Sequence, residues 1–122
     1  MRLLVTGDRN WHDYKLIKDA LAGKEECVCH GGASGADALA GEACRERGYK
    51  PTVFYAQWRR YGRSAGPIRN REMLLEFKPT MVYAFHDDLE NSKGTKDMVR
   101  IALKANVRVI HFSHRHPEGK VL

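Results

Sequence analysis

Five short apolar or β-branched runs recur along the chain: Arg2–Thr6, Cys27–His30, Thr52–Tyr55, Met81–Phe85 and Arg108–Phe112. Between them lie four stretches with apolar residues at helical spacing, Trp11–Ala22, Ser34–Arg47, Pro67–Phe77 and Thr95–Ala105. Short strands separated by helices of this length predict right-handed βαβ crossovers and a parallel sheet covered on both faces. The unbroken apolar runs LLV and MVYAF suit strands buried on both sides. The pattern therefore predicts an α/β, Rossmann-like three-layer domain with a five-stranded parallel sheet and about four helices. No repeat, linker or low-complexity tract divides residues 1–122, which read as one domain.

Local signals sharpen the boundaries. Asn10 is placed to cap the first helix, with Asp13 in its first turn and Tyr14, Ile17 and Leu21 as its inward stripe. Ser34 is placed to cap the second helix, with Asp37 three residues on, a variant of the capping box, and Gly48 sits where a terminating glycine would. Pro67 fits the first position of the third helix. Thr95 is placed to cap the fourth, whose stripe is Val99, Ala102 and Leu103.

Composition adds three constraints. No apolar run approaches the roughly 20 residues a membrane helix needs, and the start, MRLLVTGDRN, does not read as an export signal. The three cysteines, Cys27, Cys29 and Cys44, are odd in number, which fits a reduced, cytoplasmic setting. The net charge of +6 favours anionic partners, a nucleotide-like small molecule or nucleic acid, and nothing in the sequence excludes a homo-oligomer.

Ligands of open parallel sheets bind beyond the carboxyl ends of the strands, so the loops that follow strands matter most. After the first strand comes Gly7-Asp8-Arg9, a tight turn with an arginine suited to bidentate anion binding. After the second comes His30-Gly31-Gly32-Ala33-Ser34-Gly35-Ala36-Asp37. Such a glycine-rich turn into a helix start presents unpaired N–H groups and a positive dipole end to an anion. It matches neither the P-loop pattern nor a clean GxGxxG. The alanines at 36, 40 and 43 share a face with Leu39 and read as helix–sheet packing. After the third strand, Trp58 to Arg71 (WRRYGRSAGPIRNR) carries arginines and two aromatics that could hold phosphate and stack on a base. Asn70 shares a helical face with Met73, Leu74 and Phe77, so its amide must be satisfied by a neighbouring loop or by a ligand. After the fourth strand, Lys93-Gly94-Thr95 offers a charge, a hydroxyl and a second helix start.

Together, "LVTGDRNW", "HGGASGAD", "AQWRRYGRSAGPIRNREML" and "KGTKDMV" resemble the YspA/YpsA-related branch of the SLOG superfamily, over nearly the whole chain. The resemblance implies a Rossmann-like fold that recognises nucleotides or nucleotide-derived molecules, in a superfamily that includes the Lonely-guy phosphoribohydrolases and the Rossmann domain of DNA-processing protein A. It implies a pocket of Gly7, Asp8 and Arg9, Gly31, Gly32, Ser34, Gly35 and Asp37, Arg69 and Asn70, and Gly94 and Thr95. Where relatives are more glycine-rich before the GT pair, this chain has Asn91-Ser92-Lys93. It also lacks the glutamate the phosphoribohydrolases carry there, Asp97 being the nearest acid.

Three functions are compatible with these residues. The first is binding of a nucleotide or nucleotide derivative, as sensor, sponge or ligand-processing domain. The second is hydrolysis of an N-glycosidic or phosphate-linked bond, with Asp37 the first candidate general acid/base and Asp8 the second. The third is nucleic-acid binding through Trp58-Arg59-Arg60-Tyr61. No cofactor is called for. Cys27-x-Cys29-His30 places the cysteines on one strand face and the histidine on the other, which suits packing better than metal ligation. His111, His114 and His116 have the chemistry to chelate zinc, but the expectation is that no metal is bound.

Overall fold

A computed structural model describes residues 1–122. Six strands form one sheet in the order β3-β2-β1-β4-β5-β6. They are β1 (Leu3–Gly7), β2 (Val28–His30), β3 (Thr52–Val53), β4 (Met81–Phe85), β5 (Arg108–Phe112) and β6 (Lys120–Val121). The first five are parallel, and β6 returns antiparallel along β5, pairing Val121 with Ile110 and Lys120 with His111. The sheet thus has one strand more than the pattern predicts, because an exposed edge pair needs no apolar run. The third strand is also shorter than predicted, ending at Val53 rather than Tyr55.

Strand alternation divides the core into two layers. Leu3, Val5, Tyr83 and Phe85 face α1 (Tyr14–Leu21) and α2 (Ala36–Glu46), whose Ile17, Leu21, Ala36, Ala40, Ala43 and Cys44 close that side. Leu4, Cys29, Val82 and Ala84 face the opposite layer. That layer is built by α4 (Ala65–Glu72), a π turn continuing it through Met73–Phe77, and α5 (Gly94–Lys104). The small side chains of α2 let it lie close on the sheet, as their spacing predicts. No helix is long and apolar enough to cross a membrane.

Several boundaries depart from the sequence reading. The first helix starts at Tyr14, not Trp11, and its cap is Asp13, whose carboxylate accepts from the Leu16 N–H at 3.1 Å; Asn10 lies in the preceding turn. A one-turn helix, α3 (Trp58–Tyr61), precedes the third long helix, which begins at Ala65 and so places Pro67 third rather than first. α5 begins at Gly94, and its first turn is closed by Ser92 Oγ accepting from the Lys96 N–H at 3.0 Å, so Thr95 is not the cap. The inward stripe of α5 is Met98, Val99, Ile101 and Ala102; Leu103 is 41% exposed because it falls on the solvent side of that arc.

The strand order sets the geometry of the carboxyl edge. Chain progression leaves β1 toward β2 and β3, then crosses to β4 on the other side of β1. The order therefore reverses between β1 and β4, the switch point beside which open parallel sheets bind their ligands.

Candidate functional site at the carboxyl edge

The loop after β1 and the loop after β2 are fitted together by backbone. Asp8 folds its own turn, its carboxylate accepting from the Asn10 N–H at 2.9 Å. Its carbonyl accepts from the N–H groups of Trp11 and Ala36, both at 3.0 Å. Ser34 Oγ donates to the Arg9 carbonyl at 3.1 Å, so Ser34 bridges two loops instead of capping α2. The residue before α2 is Gly35, at φ 72° and ψ −125°, a conformation closed to side chains. A Cβ there would also run into the Asp8 carbonyl oxygen and the Arg9 backbone. Gly7 is equally confined, against the Phe85 carbonyl and the Ala36 side chain.

Asp37 is 5% exposed and lies beneath the glycine loop. Its Oδ2 accepts from the Gly31 N–H at 2.9 Å and the Ala33 N–H at 3.4 Å. Burial pushes its pKa up to about 6, against the downward pull of these N–H groups and of the Arg69 guanidinium. With the Asp37 carboxylate turned to the loop interior, the outer side of the α2 start is bare backbone. The N–H groups of Ser34, Gly35, Asp37 and Ala38 have no acceptor within the chain. Ser34 and Ala38 are exposed to solvent there. This is the oriented set of donors at a positive dipole end that anions occupy.

Arg69 and Asn70 brace this arrangement from α4. Arg69 donates through Nη1 to the carbonyls of Gly31 and Phe54, and through Nε to Asn70 Oδ1 at 3.1 Å. A Cβ on Gly31 would occupy the place of the guanidinium. Burial holds the Arg69 pKa below the usual arginine value. Asn70, 3% exposed, donates from Nδ2 to Asp97 Oδ2 at 3.0 Å and to the Gly94 carbonyl at 3.3 Å. The amide is therefore satisfied by a neighbouring element, one of the two outcomes its position allowed. One continuous set of bonds thus runs from the β1 loop through the glycine loop and α4 to the start of α5. Gly94 and Lys93 are exposed, and a Cβ on Gly94 would meet nothing.

Three participants are not among the residues that the sequence proposes for the pocket. Asp97 gathers Asn70, Arg100 at 3.0 Å and Arg71 at 3.8 Å, and this employment fixes α4 against α5. Tyr55, 69% exposed, lays its ring where a Cβ of Gly32 would stand, and Gly32 adopts φ 70°. His30 accepts at Nδ1 from the Gly32 N–H at 3.0 Å, which leaves the proton on a buried Nε2 with no partner. Burial lowers the His30 pKa to about 4, so the ring is neutral at pH 7. The helical face shared with Met73, Leu74 and Phe77 and the family resemblance both pointed to the Asn70 side of this network.

The histidines near the last strand have separate employments. His111 Nε2 meets the His86 carbonyl at 2.6 Å. His114 bonds Asp87 at 2.7 Å through Nδ1 and Asp13 at 2.8 Å through Nε2, while stacked on Trp11 at 4.8 Å between ring centroids. Two surface concavities of about 450 and 350 Å³ lie on the outer sides of α1 and of the α4–α5 pair, and neither is lined by a residue of the glycine loop.

The molecule is thus a Rossmann-like sheet with a glycine-rich helix start beside its switch point, where open parallel sheets bind ligands. The chain belongs to the YspA, cpYpsA-related SLOG family, whose sequence profile matches residues 1–61. It is similar to "Gene 61 protein" of Mycobacterium phage D29, with 36% identity over 125 residues, covering 93% of this chain and 98% of that protein. Its fold is similar to that of part of DNA processing protein A (DprA) from Streptococcus pneumoniae, with a TM-score of 0.71 at 17% identity over 90% of this chain. The chain spans about half of the DprA chain, 49%.

Proposed function

We propose that this domain binds a nucleotide or nucleotide-derived small molecule at the carboxyl edge of the sheet, with a phosphate seated on the start of α2. The observation that carries the reading is the group of four unpaired N–H donors at Ser34, Gly35, Asp37 and Ala38, beside the β1/β4 switch point. Arg9 and Lys93 are exposed and enter no ion pair, so both are free to meet the charge of a bound anion. In this reading Gly7, Gly31, Gly32 and Gly35 give the backbone its close approach. Asp8, Ser34, Asp37, Arg69 and Asn70 shape the cradle, and Gly94 with Thr95 forms its far wall. Asp37 and Asp8 are engaged by backbone N–H groups, which favours binding over hydrolysis.

A thermal-shift panel of mono- and dinucleotides, ADP-ribose and inorganic phosphate tests the proposal. At least one nucleotide should raise the melting temperature and be recovered unchanged by chromatography. Arg9→Ala should weaken its binding roughly tenfold, the scale of one charge-assisted contact. Failure of every nucleotide to stabilise the protein would remove the proposal.

A further inference from the structure

Residues 47–71 contain seven basic residues and no acidic one, leaving fourteen basic against fifteen acidic in the rest of the chain. The whole positive excess of the protein therefore comes from one segment, the one running from the end of α2 to α4. Arg69 and Arg71 of this set are engaged, by the Gly31 and Phe54 carbonyls and by Asp97. Arg59, Arg60 and Arg63 are exposed and enter no ion pair. Among them stand Tyr55, 69% exposed, and Trp58, 60% exposed, while the Arg60 guanidinium lies 5.1 Å from the Tyr61 ring centroid.

Each feature is unfavourable in the free protein. Three uncompensated arginines within five residues repel one another, and two large aromatic faces are left in water. A partner that relieves both must bring closely spaced negative charges and flat π faces together. Duplex DNA brings the charges but hides its base faces in the stack. An anionic bilayer accepts an apolar helix face, and α3 is a single turn of Trp-Arg-Arg-Tyr without one. Single-stranded nucleic acid brings both, phosphates for the arginines and unstacked bases for Tyr55 and Trp58.

We propose that the surface formed by Tyr55, Trp58, Arg59, Arg60 and Arg63 binds single-stranded nucleic acid without base-edge readout. The surface adjoins the glycine loop, because Tyr55 packs on Gly32. It does not rest on the small-molecule reading, since none of its five residues belongs to the α2 cradle.

The test is fluorescence anisotropy with a labelled single-stranded 20-mer and its duplex, followed in parallel by intrinsic tryptophan emission. Trp11 is 6% exposed and Trp58 60%, so quenching on binding reports Trp58. The single strand should bind more tightly than the duplex and quench the emission. Trp58→Ala should abolish the quenching and weaken binding roughly five- to tenfold. The triple change Arg59→Ala, Arg60→Ala, Arg63→Ala should reduce the salt dependence, log K against log salt, by about 2, at roughly 0.7 per phosphate. Arg9→Ala, which removes a charge from the cradle, should leave strand binding nearly unchanged, so the two sites fail separately. The proposal is overturned by no binding at low salt, by duplex binding as tight as the single strand without quenching, or by binding to anionic vesicles alone. The wild-type quenching and salt slope decide the matter even if a variant does not fold.

Discussion

Gly35 shows how a single residue decides whether the β1 and β2 loops fit together. Its φ of 72° with ψ of −125° and its contact with the Asp8 and Arg9 backbone leave no room for a methyl group. Gly35→Ala should destabilise the protein by about 2 kcal/mol or more, from conformational strain plus a clash with main chain that cannot move aside. Chemical denaturation reads this directly, and a loss below about 0.5 kcal/mol would mean that the two loops are not fitted as described. Asp37 makes the complementary point about charge. Its folded pKa of about 6 stands above the ordinary 3.8, so it adds stability below the lower value and loses it as pH rises through about 6. Asp37→Asn keeps an acceptor for the Gly31 N–H without the ionisation. The melting temperature of the wild type relative to Asp37→Asn should therefore be higher at pH 5 than at pH 7.5. An unchanged difference would show that the carboxylate is not buried under the loop.

At the scale of elements, the start of α2 is held in place by α4, and α4 by α5. Asn70 is the joint, taking the Arg69 Nε–H on one side and reaching Gly94 and Asp97 on the other. Asn70→Ala should cost about 2–3 kcal/mol, because it leaves a carbonyl, a carboxylate and a guanidinium N–H without their partner. Asn70→Asp should cost more at pH 7, since it sets a carboxylate against Asp97. Equal stability of the two variants would contradict the pairing with Asp97. The apolar stripe below Asn70 pointed it toward the carboxyl edge and the resemblance added Arg69, but neither said what the two side chains touch. Asp97 lies 27 residues further along the chain, and only the packing of two helices brings it there. Helix ends were legible to within a turn, as was the terminating Gly48, which follows the α2 C-cap Arg47 at φ 82°, but the N-caps were not. Asn10, Asp13, Ser34, Ser92 and Thr95 are all chemically able to cap, and tertiary contacts chose among them.

Across the whole molecule, the layers and the parallel sheet were readable because strands buried on both faces leave continuous apolar runs such as LLV and MVYAF. Strand order was not, since alternation is local and says nothing about which side of β1 receives β4. The edge strand β6 was equally hidden, as Lys120 and Val121 bury too little to leave a pattern. Order matters for the carboxyl edge because it brings three loops around one histidine. His114 follows β5, Asp87 follows β4, and Asp13 and Trp11 follow β1. Bonding a carboxylate at each ring nitrogen requires the imidazolium, and the bonds to Asp87 and Asp13 raise the His114 pKa above 6.5. His12 lies near the Asp13 carboxylate and His86 near that of Asp87. The tie is complete below pH 6.5 and loses one donor as pH rises through the raised value. Hydrogen exchange in the β1 and β4 loops should accelerate over that range beyond its ordinary base catalysis, and His114→Ala should remove the excess. An identical profile in the variant would show that the histidine does not tie these loops.

We propose above all that the start of α2 receives a phosphate. Titration of inorganic phosphate and AMP into 15N-labelled protein observes the four open amides themselves. Saturable shifts should be largest at Ser34, Gly35, Asp37 and Ala38, and shared by both ligands. Binding that leaves these amides unmoved, with shifts centred elsewhere, would contradict the account.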